Sequence, residues 1–240
     1  MEEEIKFKSH HVFNYEADRR SKYWALIILI SSILLFLLSA LGLLDWLSER
    51  TSGFLLDKLG YTNKWSKSFG PEWFVNLNGE FSALGGFPLM FIFFTVAAIY
   101  YHLRRESRRL WRFLFIIVFG GLLMLVMKLI FAPEVPEELF EIMTNQISTF
   151  PSGHAMMGTI FYTTLAVAIS RRQHSRKTKR LTLVTGTVII ILICISRILP
   201  GTHSVSEVLA GWSLGMIWLI LCWILERKIK RGLKKETALI

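Results

Sequence analysis

Two histidines and a few charged residues carry the reactive chemistry of this chain, and they stand beside apolar runs. In SRILPGTHSVSE, residues 196–207, Arg197, His203 and Glu207 lie between VIIILICI and LAGWSLGMIWLILCWIL. Ionisable groups at membrane depth are costly, so those present usually face a bundle interior or a polar cavity and act there. His203 sits in a turn opened by Pro200 and Gly201, and Glu207 follows it by four residues, which puts both on one face once a helix has begun. A carboxylate bonded to one imidazole nitrogen fixes the tautomer and leaves the other nitrogen free to attack phosphorus, a nucleophile with its orienting group.

Phosphate asks for cations and directed N–H groups. Lys128 and Arg197 supply fixed positive charge, and an arginine can grip phosphate oxygens with its planar fork. In FPSGHAMMG, Pro151 and Ser152 precede an expected helix, so the Ser152 and Gly153 N–H groups are expected to point beyond its start, an anion-binding arrangement. His154, in the same turn, can donate a proton to a leaving oxygen.

The elements that must position these groups are long apolar helices. The chain has 240 residues, 52% hydrophobic and 19% charged, with 18 Phe and 8 Trp gathered into runs. Six stretches are long enough to cross about 30 Å of hydrocarbon as helices: Tyr23 to Leu44, Ala83 to Tyr101, Phe113 to Phe131, His154 to Ser170, Leu181 to Ile198 and Val205 to Leu225. The expected fold is therefore all-α, a polytopic six-helix transmembrane bundle forming a single domain over residues 1–240, with an interfacial helix and loop between the first two spans. The charged segment 1–22 lacks the short apolar core of a cleavable signal, so the first run is expected to remain as an anchor. Cys194 and Cys222 fall inside apolar runs, which favours buried packing over a disulfide.

A net charge of +10 would suggest nucleic acid in a water-soluble protein, but here it reports topology. All but six of the 28 basic residues lie in the N-terminal tail, HLRRESRRLWR, RRQHSRKTKR and the tail within residues 226–240, which is every second connection. Those segments are expected to be cytoplasmic and to meet anionic lipid, with no nucleic-acid partner. Arg50, Lys58, Lys64, Lys67, Lys128 and Arg197 then lie towards the outer face. The outer segment 45–82 carries Trp46, Trp65 and Trp73 beside short apolar patches, the pattern of an interfacial helix followed by a loop. It reads first as a packed lid, and second as a guide for an amphiphilic substrate. This topology brings Lys128, FPSGH and SRILPGTHSVSE to one face, where they can share a site.

The order K-x6-x-P, PSGH and SR-x5-H-x3-E resembles the three-part signature of the type 2 phosphatidic acid phosphatase superfamily, K-x6-R-P, PSGH and SR-x5-H-x3-D. The six spans, the outer-face motifs and an FSALGG segment also resemble bacterial lipid phosphatases of that family. The resemblance implies a metal-independent, cofactor-free mechanism in the cell membrane, and the loop charges put both termini in the cytoplasm. In it, His203 attacks the phosphoryl group to give a phosphohistidine, Glu207 takes the place of the orienting aspartate and His154 protonates the leaving group. Lys128, Ser152, Gly153 and Arg197 match phosphate-binding positions, and water then releases phosphate. Undecaprenyl diphosphate, phosphatidylglycerol phosphate and phosphatidate are candidate substrates.

Two positions depart from that signature. Val135 stands where the family usually has arginine, and Glu207 is one methylene longer than aspartate. Removing one preorganised donor to a developing oxyanion costs about 10²- to 10³-fold in rate, out of much larger enhancements for phosphate esters, so activity can survive. Glu134, Glu137, Glu138 and Glu141 follow close by and read as a solvated helical turn, or alternatively as the receiver of a cationic group. No carboxylate and histidine spacing suggests a metal site. The competing readings are a lipid phosphotransferase, with an acceptor other than water, and a non-catalytic lipid-phosphate binder that keeps the fold.

Overall fold

The structure, a computed structural model, describes residues 2–59, 72–132 and 150–237. The acidic segment from Glu134 to Glu141, Val135 with it, and the middle of the outer segment, Trp65 included, lie outside these residues. Eight helices are described: α1 (Glu2–Ala40), α2 (Asp45–Leu59), α3 (Glu72–Leu84), α4 (Phe87–Leu103), α5 (Ser107–Ile130), α6 (Gly153–Ser170), α7 (Arg176–Ile198) and α8 (Val205–Thr237).

Five described segments are long and apolar enough to cross a membrane: Arg19–Ala40, Trp73–Leu103, Ser107–Ile130, Arg176–Ile198 and Val205–Arg231. The expected fourth span is helical as α6 but is not among them. Its burial explains its composition, because nine of its 18 residues are buried, from Ala155 to Ser170. A helix walled by other helices has no need of the all-round apolar surface that lipid demands. The outer helices show the reverse. Phe87 and Leu129 are each 77% exposed, and α1, α4, α5 and α7 present many large apolar side chains outward, a surface suited to hydrocarbon as solvent.

Two boundaries differ from the sequence expectation. The first span ends at Ala40, not Leu44, because Gly42 takes φ +72°. Its N–H donates to Ser39 O at 3.2 Å while the Leu43 N–H donates to Leu38 O at 2.9 Å, closing the helix with a Schellman turn. The second crossing segment starts within the outer loop as α3 and is broken at Gly85–Gly86 before α4 resumes with Pro88 in its first turn. Such a break is tolerated at membrane depth only where protein satisfies the freed backbone, and the Tyr162 hydroxyl donates to Leu84 O at 2.8 Å.

α6 forms the centre, packed chiefly on α7, α8 and α5, while α1 lies along α8 and α3 along α7. Its buried core joins Phe161 and Tyr162 to Phe113, Ile190 and Ile193, and Met156 and Ile160 to Leu214. Small residues let the helices approach. A Cβ on Gly211 of α8 would stand 2.3 Å from Ser152 O, and one on Gly215 would stand 3.0 Å from Met156 O.

Candidate active site

Ser204 starts α8. Its carbonyl accepts from the Val208 N–H at 3.2 Å and its hydroxyl accepts from the Glu207 N–H at 3.2 Å, so serine supplies a helix cap one residue after His203. The cap fixes the first turn, and the four-residue spacing does the rest: His203 Nδ1 and Glu207 Oε2 are 2.8 Å apart. The Ser204 N–H also donates to Glu207 Oε2 at 3.1 Å. In a neutral ring whose Nδ1–H donates to the Glu207 carboxylate, Nε2 is the nitrogen that keeps a lone pair. The backbone is held as well, because the His203 backbone N–H donates to Arg197 O at 3.0 Å.

Around this pair the chain gathers the other residues singled out by sequence. Lys128 lies in the last turn of α5, and its Cε passes 3.5 Å from where a Gly153 Cβ would stand. His154, in the first turn of α6, lies within electrostatic range of Arg197, His203 and Lys128. Lys128 lies within the same range of Glu207. Four chain segments thus converge at one end of the bundle.

Ser152 takes a different position from the one its motif suggested. Its N–H donates to the carbonyl oxygen of Glu207 at 3.0 Å and so is committed to α8 instead of pointing at an anion. The cause is the close seating of α8 on the start of α6 at Gly211. What Ser152 retains is its hydroxyl. Among the described residues, Ser152 Oγ and Arg197 Nε are the buried side-chain polar atoms with no hydrogen-bond partner. Leaving such groups unsatisfied costs about 1–3 kcal/mol each, more for a charged one, and both stand beside the His203 pair.

Several supporting residues were not found from the sequence. Ser82 of α3 accepts from Arg197 Nη1 at 2.7 Å, and Asn78 Nδ2 donates to Ser196 O at 3.0 Å. Their four-residue spacing in EWFVNLNGEFSAL, just before Gly85–Gly86, was the available signal. On the far side Ser206 Oγ donates to Asp45 Oδ1 at 3.1 Å, and its N–H donates to Ser48 Oγ at 3.2 Å. α2 is thereby tied to the turn that carries Glu207.

A PAP2 superfamily model matches residues 109–231, just over half of the chain and all four segments of the site. Phosphatidylglycerophosphatase B of Bacillus subtilis (strain 168) is 35% identical over 106 residues, 44% of this chain. These are 48% of that protein, so the chain spans about half the length of the curated relative it matches. The crystal structure of a transmembrane PAP2 type phosphatidylglycerolphosphate phosphatase from Bacillus subtilis has the same fold. It covers 85% of this chain and 98% of its own, with a TM-score of 0.63 and 24% identity.

Proposed function

The chain belongs to the PAP2 superfamily, and on that premise we propose that it hydrolyses a lipid phosphate or diphosphate through His203. The observation that carries this reading is the 2.8 Å contact between His203 Nδ1 and Glu207 Oε2, which leaves Nε2 as a nucleophile. Arg197, Lys128, the Gly153 N–H and the Ser152 hydroxyl bind the phosphoryl oxygens and meet the charge that grows on them. His203 Nε2 forms an N–P bond as the P–O bond to the lipid breaks, and His154 gives its proton to the departing oxygen. Water, deprotonated by His154, then attacks phosphorus, breaks the N–P bond and releases inorganic phosphate. Glu207 stabilises the imidazolium formed in between.

The charge pattern of the loops supports placing this end of the bundle outside the cytoplasm, with the basic connections and both termini within. Since the Bacillus relative is named for phosphatidylglycerophosphate, that lipid is the first substrate to try, followed by phosphatidate and undecaprenyl diphosphate.

The test is phosphate release by the purified protein from that panel with chelator present, beside His203→Ala. Turnover should fall on the order of 10⁴-fold or more in the variant, and the wild-type protein should carry an acid-labile phosphoryl label that the variant lacks. Val135 in place of the customary arginine favours a second reading, a non-catalytic binder of lipid phosphate. Binding of every lipid without release from any would select it, and transfer to an alcohol instead of water would select a phosphotransferase.

A further inference from the structure

The opposite end of the bundle holds a second concentration of charge. A cavity of about 400 Å³ opens between the start of α5, the end of α6 and α8, and six cationic side chains line it: Arg108, Arg109, Arg112, Arg171, Arg172 and Lys230. Two carboxylates serve this cluster. Glu226 pairs with Arg112 and with Lys230, and Glu106 pairs with Arg109 and Arg172. The N-terminus of α5 also points here; its N-cap, Glu106, offsets part of the positive charge, and the turn that follows contains no acidic residue. Cations at a helix N-terminus add to a positive dipole end, the reverse of the stabilising arrangement, unless an anion joins them. Deeper in, Phe113, Leu219 and Trp223 make the wall apolar.

This cavity is distinct from the His203 site. Arg112 and Lys128 lie on one helix, α5, 16 residues apart, which is about 24 Å along its axis. Guanidinium forks match phosphate oxygens, and the volume is in the ordinary range for a small ligand or headgroup. We propose that the cavity is a second binding site for a phosphate group on an anionic molecule, drawn from lipid headgroups of the leaflet at that end or from a soluble phosphate compound.

The experiment uses the full chain in nanodiscs and follows thermal unfolding. Arg108→Gln with Arg171→Gln removes two exposed lining cations, and Lys177→Gln with Arg180→Gln removes two exposed cations of the same end that do not line the cavity. Exchanging phosphatidylcholine for phosphatidylglycerol should raise the wild-type midpoint by about 4 °C if lipid is the source. Adding inorganic phosphate to phosphatidylcholine discs should raise it if a soluble phosphate is the source. Whichever probe acts, the rise should at least halve in the first double variant and persist in the second. A wild type unmoved by both probes, or an equal loss in both double variants, would overturn the proposal, the latter showing only general attraction of a basic surface to anions.

Discussion

The backbone N–H of Ser152 donates to the carbonyl oxygen of Glu207 at 3.0 Å, which joins the start of α6 directly to the first turn of α8. The same residue whose carbonyl anchors Ser152 holds His203 with its side chain. Phosphate-binding hydroxyl and nucleophile are therefore linked through one residue, on the proposed reading of the site.

That contact requires Gly211. A Cβ there would stand 2.3 Å from Ser152 O and 3.2 Å from Ala155 Cβ, and backbone cannot yield as a flexible side chain does. Gly211→Ala should cost about 1–3 kcal/mol and lower phosphatase turnover more than 10-fold, on the order expected when a site is misplaced by a fraction of an ångström. Thermal unfolding in detergent and phosphate release read the two effects, and a variant with normal turnover would refute the coupling.

Ser82 is expected to act on Arg197. Its hydroxyl accepts from Nη1 at 2.7 Å, and a hydrogen bond to a charged group contributes about 1.5–3 kcal/mol. Ser82→Ala should lower kcat/KM about 10- to 100-fold and lower the unfolding temperature as well, while Ser82→Thr should restore much of both. Steady-state kinetics on the three proteins decide this.

α2 should matter through Ser206. This buried serine, the residue before Glu207, is bonded to Asp45 and Ser48 of α2. Ser206→Ala removes the hydroxyl bond to the exposed Asp45 but keeps the backbone N–H bond to Ser48, and should destabilise the protein by about 1 kcal/mol. If the tie also aligns Glu207, kcat should fall several-fold at unchanged KM, whereas a purely structural tie would leave both constants alone.

At the far end, Glu106 gives a pH dependence of known sign. Loss of water around its carboxylate raises its pKa, but hydrogen bonds from Arg172 and Arg109, with their charges, more than reverse this and hold it below the usual value of 4.5. The folded value is depressed, so the stabilisation is fully present above pH 4.5 and is lost as pH falls through the folded value. The unfolding temperature of Glu106→Gln should lie below wild type from neutral pH down to that point and converge with it in stronger acid. A constant gap at all pH values would exclude the ionic pairing as the cause.

Local spacing made several features legible in the sequence. Apolar runs of the right length gave the helices, and α6 was recognisable although its buried surface makes it less apolar than a lipid-facing span. The four residues from His203 to Glu207 set their meeting, because one helical turn brings such pairs together whatever surrounds them. PSGH marked the start of α6.

Only the tertiary structure decided how the helix ends meet. Ser82 reaches Arg197 from 115 residues away, and no periodicity encodes which face of α3 lies along α7. The commitment of the Ser152 N–H to Glu207 could not be read from PSGH, since a helix start offers the same N–H groups to an anion or to a neighbouring carbonyl. The basic cavity, too, arises only when three loops and helix ends converge, each of which reads alone as a topology signal. Interactions within one turn are fixed by backbone geometry and so by sequence; those between helices depend on how ridges and glycines allow the bundle to close.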